Sequence, residues 1–195
     1  MSQFWDKKNI RIIHCFGDSL TAGYGVRLGE GWVDITGRRM SGVNFVNHGA
    51  LGAHSSDILT QMSFLVQRAG TGEGFFFMGG TNDILDGIRL DVIEKGIRNH
   101  IENMAERVPL TLGIPLLATP YSIETGWEAE YAYEQNQRDL TEFAKFLRNF
   151  GARLKIPVID FAKAIPAEDE WYSDGIHPNR KGYEKMASAA EKVWR

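Results

Sequence analysis

Ile10-Arg11-Ile12-Ile13-His14-Cys15-Phe16-Gly17-Asp18-Ser19-Leu20 is the stretch that decides how this chain folds. A short apolar run that stops at Gly-Asp-Ser reads as a buried strand followed by a tight turn. Ser19 then stands at the carboxyl end of the strand, where open α/β sheets place their ligands. That is a seat for a nucleophile, provided that a base, an acid and oxyanion donors arrive from elsewhere in the chain.

Working outward, the same pattern recurs. Val43-Asn44-Phe45-Val46 reads as a second strand, ending in the loop Asn47-His48-Gly49-Ala50-Leu51-Gly52. Gly74-Phe75-Phe76-Phe77-Met78 is a third, closed by Gly79-Gly80-Thr81-Asn82-Asp83. A fourth is expected over Thr111 to Leu117, with Pro115 marking an irregularity near its end, and Pro157-Val158-Ile159-Asp160 is the fifth. Helical periodicity fills the intervals. A helix from about Gly31 to Met40 carries Trp32, Ile35 and Met40 on its apolar side. The next is capped by Ser55 or Ser56 and carries Ile58, Met62, Leu65 and Ala69. Asp91 is expected to cap a helix whose face is Ile93, Ile97, Ile101 and Met104. A long helix is built on Leu140, Phe143, Leu147 and Phe150, and a last one on Tyr183, Met186, Ala190 and Val193. Strands that alternate with helices predict an α/β fold, a parallel sheet with helices on both faces. No internal repeat or linker divides the sequence, so a single domain over residues 1–195 is expected.

Bulk properties narrow the function classes. An apolar share of 43% supplies a real core, and a net charge of −3 leaves no broad basic footprint, which argues against nucleic acid as a partner. Cys15 is the only cysteine, which excludes an internal disulfide and a cysteine-built zinc site. No His-Glu-x-x-His, paired-histidine or EF-hand spacing occurs, and neither a metal nor another cofactor is expected. No run of about 18 apolar residues is present, so no membrane-spanning helix is expected. The stretch Met1-Ser2-Gln3-Phe4-Trp5-Asp6-Lys7-Lys8 lacks the apolar core of a signal peptide, and the expectation is a cytoplasmic protein. No interface signal sets the oligomeric state.

Five histidines compete for the role of base. His14 falls inside the first strand and reads as a sheet residue, and His100 falls near the polar face of a helix. His48 and His54 flank the glycine loop after the second strand and are within reach of a site. His177 stands apart, because Asp174 lies three residues before it in a loop that follows the last strand. Asp18 reads as a turn support rather than a reacting group, and Cys15, with apolar neighbours and no adjoining base, as a core residue.

Gly17-Asp18-Ser19-Leu20, the loop Asn47 to Gly52, Gly80-Thr81-Asn82-Asp83 and Asp174-Gly175-Ile176-His177 resemble, in order, the four sequence blocks of the GDSL, or SGNH, hydrolases. Any one tetrapeptide is weak evidence. Four in order, each just after an expected strand, are not. The Gly-x-Ser-x-Gly elbow of ordinary α/β-hydrolases is absent, since Thr21 occupies its last position. The resemblance implies a flavodoxin-like five-stranded sheet of order 2-1-3-4-5. It also implies a small-molecule carboxylic ester or thioester as substrate. Ser19 would be the nucleophile, His177 the general base and Asp174 its orienting carboxylate. The backbone N–H groups of Ser19 and Gly52 and the side-chain amide of Asn82 would be the oxyanion donors.

Tyr24, Val26, Tyr121, Trp127 and Tyr131 sit in or beside loops on the same edge. Tyr24, Tyr121 and Trp127 are the candidate substrate-binding residues. The competing reading is a non-catalytic flavodoxin-like module that binds a ligand or nucleotide at that edge. Against it, Gly23-x-Gly25 lacks the third glycine of a dinucleotide fingerprint, and no Walker motif occurs.

Overall fold

A computed structural model of the chain describes residues 9–195; the stretch Met1 to Lys8, read above for the absence of a signal-peptide core, lies outside the described residues. The described strands are β1 (Ile12–Gly17), β2 (Asn44–Gly49), β3 (Glu73–Phe77), β4 (Leu110–Ile114) and β5 (Val158–Asp160). They form one parallel sheet in the order β2-β1-β3-β4-β5. The helices are α1 (Ser19–Ala22), α2 (Trp32–Arg39), α3 (Ser55–Val66), α4 (Thr81–Leu85) and α5 (Leu90–Ala105), followed by α6 (Tyr121–Glu124), α7 (Glu130–Leu154), α8 (Phe161–Ala164) and α9 (Arg180–Trp194). The expected strand order is the observed one.

Strand alternation sends successive side chains to opposite faces. Phe16, Phe75, Phe77, Leu110, Leu112 and Ile114 pack on one side with the apolar stripes of α3, α5 and α7. On α5 that stripe is Ile93, Ile97, Ile101 and Met104, all buried as their spacing requires. Ile13, Cys15, Phe76 and Ile159 pack on the other side with α2 and α9, where Trp32, Tyr183 and Trp194 are buried. No helix among the described residues is long and apolar enough to cross a membrane.

Some boundaries differ from the sequence expectation. His54 is the N-cap of α3, and Ser55 is already helical, because its N–H and hydroxyl are both taken by the Asp83 carboxylate, at 2.8 and 2.7 Å. That distant carboxylate satisfies one of the helix's unpaired amides from outside the segment. Arg89 rather than Asp91 precedes α5, and the Asp91 carboxylate is engaged by the Arg89 guanidinium. β2 runs on to Gly49 instead of stopping at Val46, and β4 ends at Ile114, before Pro115, which has no N–H for the ladder.

Candidate active site

Order β2-β1-β3 places the loops after these strands side by side at the carboxyl edge, where the chain reverses direction across the sheet. The first loop holds Ser19 at the first position of α1. Asp18, the N-cap, accepts the Leu20 N–H at 3.0 Å through Oδ1, and Gly23 ends the turn in the left-handed region. Two further bonds pin the turn to its neighbours: Trp32 Nε1 donates to the Leu20 carbonyl at 3.1 Å, and Asn47 Nδ2 to the Thr21 carbonyl at 2.9 Å.

Ser19 Oγ lies 2.8 Å from His177 Nε2, and His177 Nδ1 lies 2.8 Å from Asp174 Oδ2. A carboxylate at Nδ1 assigns the proton to that nitrogen, leaving Nε2 to accept the serine proton. Ser19 is 8% and His177 2% exposed, so the line is largely screened from water but opens at the serine. Asp174 Oδ1 also accepts the backbone N–H groups of Ile176 and His177. Burial pushes the Asp174 carboxyl up. The bonds from the His177 ring and from the two amides outweigh that and hold it below the ordinary carboxylate value. Gly175 has φ +85°, and a Cβ there would come within 2.1 Å of the Ser122 nitrogen, so only glycine lets this loop close against the segment after β4.

The other two loops carry the remaining groups. Gly52 occupies the left-handed region at φ +69° in the turn after β2. Asn82 is the second residue of α4, and its Nδ2 donates to the Ala53 carbonyl at 3.0 Å, which links the Asn82 and Gly52 loops. Asp83 ties them a second time through Ser55. A third tie is the His54–Asp86 ion pair at 2.7 Å, which raises the His54 pKa.

Among the aromatic candidates, the Tyr24 ring lies 4.4 Å and the Trp127 ring 4.8 Å from the His177 ring, centroid to centroid. The two meet edge to face at 5.9 Å. Tyr121 opens α6, behind Gly175, and its ring makes no contact with His177 among the described residues. Tyr131 belongs to the first turn of α7 and is 93% exposed.

His48 and His54, which the sequence left within reach of a site, bond elsewhere. His48 Nε2 lies 3.0 Å from His14 Nδ1, and His54 bonds Asp86. Cys15 is buried and its thiol is pushed well up by burial, so it is not a thiolate. Among the described residues no group of three His, Cys, Asp or Glu side chains is arranged to hold a metal. Two features had no signal in the sequence: the Ser55–Asp83 tie, and a buried Ser122–Glu128–Asn136 cluster. Neither follows a local spacing rule, since the partners meet only through the fold.

A hydroxyl, an imidazole and a carboxylate in one hydrogen-bonded line, with amide donors nearby, can carry out acyl transfer. The profile of the GDSL-like lipase/acylhydrolase family matches residues 15–185. The chain is similar to a lipolytic G-D-S-L family protein of Veillonella parvula, at 28% identity and a TM-score of 0.81, over 94% of this chain and 97% of that one. It is similar to a lipase/acylhydrolase from Enterococcus faecalis, at 26% identity and a TM-score of 0.74, over 95% and 96%. It shares its fold with an aryl esterase of M. smegmatis, at 17% identity and a TM-score of 0.74, over 94% and 98%. Among curated proteins none matches. The family match covers most of the sequence and all four blocks, and the chain belongs to the GDSL-like lipase/acylhydrolase family. Ester hydrolysis is the general reaction that this membership supports.

Proposed function

We propose that the chain hydrolyses carboxylic esters or thioesters through an acyl-enzyme on Ser19. The observation that carries this reading is the line Ser19 Oγ–His177 Nε2–Nδ1–Asp174 Oδ2, with both hydrogen bonds at 2.8 Å. In the first half-reaction His177 takes the Ser19 proton as Oγ attacks the acyl carbon. Asp174 keeps the imidazole in the required tautomer and stabilises the imidazolium. His177 then returns the proton to the leaving alcohol or thiol, and water repeats the sequence to release the acid. The N–H groups of Ser19 and Gly52 and one amide hydrogen of Asn82 stabilise the negative charge that develops on the carbonyl oxygen.

Tyr24 and Trp127, which pack on the imidazole and on each other, are the surface against which the acyl group of the substrate rests. Tyr121 is the third candidate in that wall. Turnover of p-nitrophenyl esters from acetate to long acyl chains, with fluorophosphonate labelling, tests the reading. Ser19→Ala should abolish both turnover and labelling while the protein stays folded. Turnover that survives in Ser19→Ala removes Ser19 from the mechanism.

A further inference from the structure

Glu128 directly follows Trp127 and is only 6% exposed. Its Oε2 accepts the Ser122 hydroxyl at 2.6 Å and its Oε1 accepts Asn136 Nδ2, on α7, at 2.9 Å. The backbone N–H groups of Trp127 and Glu128 both donate to the Ser122 carbonyl, at 2.9 and 3.2 Å. The turn from Ser122 to Glu128 is thus closed on itself and fastened to α7. No cation forms an ion pair with Glu128 among the described residues. A carboxylate buried without a cation is an expensive way to hold a surface turn, which three or four residues of ordinary turn chemistry would hold.

The outer side of the same turn faces the reacting groups. Trp127 meets the His177 ring at 4.8 Å, with the planes inclined by 68°. The Thr125 hydroxyl donates to the Asp174 carbonyl at 2.7 Å, and the Thr119 N–H to the Gly175 carbonyl at 2.9 Å. Trp127 is itself 44% exposed, so its packing on Tyr24 and His177 covers only part of it. The anchor lies beneath it.

We propose that Glu128 is a positioning residue for substrate selection: bound to Ser122 and Asn136, it holds Trp127 edge-on against the His177 ring as a rigid wall for an apolar acyl group. This rests on the hydrolase reading above. The wall lowers KM for esters with a large acyl part and is idle for acetyl esters, which do not reach it.

The test is a double-mutant cycle of Glu128→Ala and Trp127→Ala, read as kcat and KM on p-nitrophenyl acetate and octanoate. Trp127→Ala should raise KM for octanoate on the order of tenfold more than KM for acetate, the scale expected for a lost apolar contact. Glu128→Ala should move octanoate the same way, and the double variant should be no worse than Trp127→Ala alone. Glu128→Gln should stay near wild type, because its carbonyl oxygen can still accept from Asn136 while its amide bonds the Ser122 oxygen. Effects that simply multiply, or an unchanged octanoate KM in folded Glu128→Ala, would overturn the proposal. If Glu128→Ala does not fold, Asn136→Ala takes its place in the cycle with the same expected and contrary outcomes. Hydrogen exchange separates the two readings. Absent turnover and labelling in the wild type would defeat the hydrolase, whereas unchanged exchange at the Trp127 and Glu128 amides in Glu128→Ala would defeat the anchor.

Discussion

Asn82 has two amide hydrogens, and the Ala53 carbonyl uses one of them. In the proposed oxyanion role the other serves the substrate oxygen, so Asn82→Ala would remove a donor and a tie to the Gly52 loop together. Its kcat should fall on the order of 10²–10³-fold with little change in KM, as loss of one oxyanion donor does. An unchanged kcat would take Asn82 out of the oxyanion site. Asp18 offers a second prediction. Burial pushes its carboxyl up to about 6, against the Leu20 amide and the His177 charge, which favour ionisation, and with Asp83, which opposes it. Its Oδ2 has no hydrogen-bond partner. A buried acid with a raised pKa is more protonated folded than unfolded, so its contribution falls as pH rises from about 4 through 6. Asp18→Asn keeps an oxygen for the Leu20 N–H and does not titrate. Relative to wild type it should gain stability between about pH 4 and 7, on the order of 3 kcal/mol at most. Urea unfolding at several pH values checks this, and a pH-independent difference would refute it. At this scale Ser19, Asp174 and His177 were legible because their chemistry sits in short local motifs. Glu128 was not, because Asn136 and Ser122 give its carboxylate a role only once α7 packs beside the turn.

At the scale of elements, apolar spacing located the strands and helices well, and most of the errors fell at their ends. Caps failed where a polar side chain found another partner. Ser55 went to Asp83, 28 positions away, and Asp91 to Arg89, two positions before it, so only the first partner lay beyond local reach. β2, an edge strand, shares a titratable pair with β1: His48 on β2 and His14 on β1. Burial lowers the His14 pKa, with Glu73 acting in the opposite sense, and burial together with His14 lowers that of His48. His14 Nε2 faces Glu73 at 3.4 Å, which leaves its Nδ1 to accept from His48 Nε2–H at 3.0 Å, so the His14 ring is neutral in the bonded pair. Below the ordinary histidine value of 6.5 the unfolded chain binds protons more readily than the folded one, and stability falls with pH. The β2 amides should therefore exchange faster at pH 5 than at pH 7, after correction for intrinsic rates, and His48→Gln should flatten that dependence. Equal protection at both pH values would show that the pair does not hold the edge.

For the whole molecule, both apolar layers share one sheet, with Phe76 on one side of β3 and Phe75 and Phe77 on the other. Neither layer can be lost without exposing the other, which predicts one cooperative unfolding transition with equal calorimetric and van't Hoff enthalpies. Two resolved transitions would mean that the chain divides. Periodicity and glycine-closed runs determined, without any structure, that strands and helices alternate and that the sheet is parallel. The four motifs marked the candidate site residues. Only the tertiary structure decided that Ser19, His177 and Asp174 form one line, that Tyr24 and Trp127 both pack on the imidazole while the Tyr121 backbone lies against Gly175, and that His48 and His54 bond elsewhere. The physical reason is range. Burial and turn preference act between neighbours in sequence, whereas Ser19 and His177 are 158 positions apart and meet only because the sheet order brings their loops to one edge.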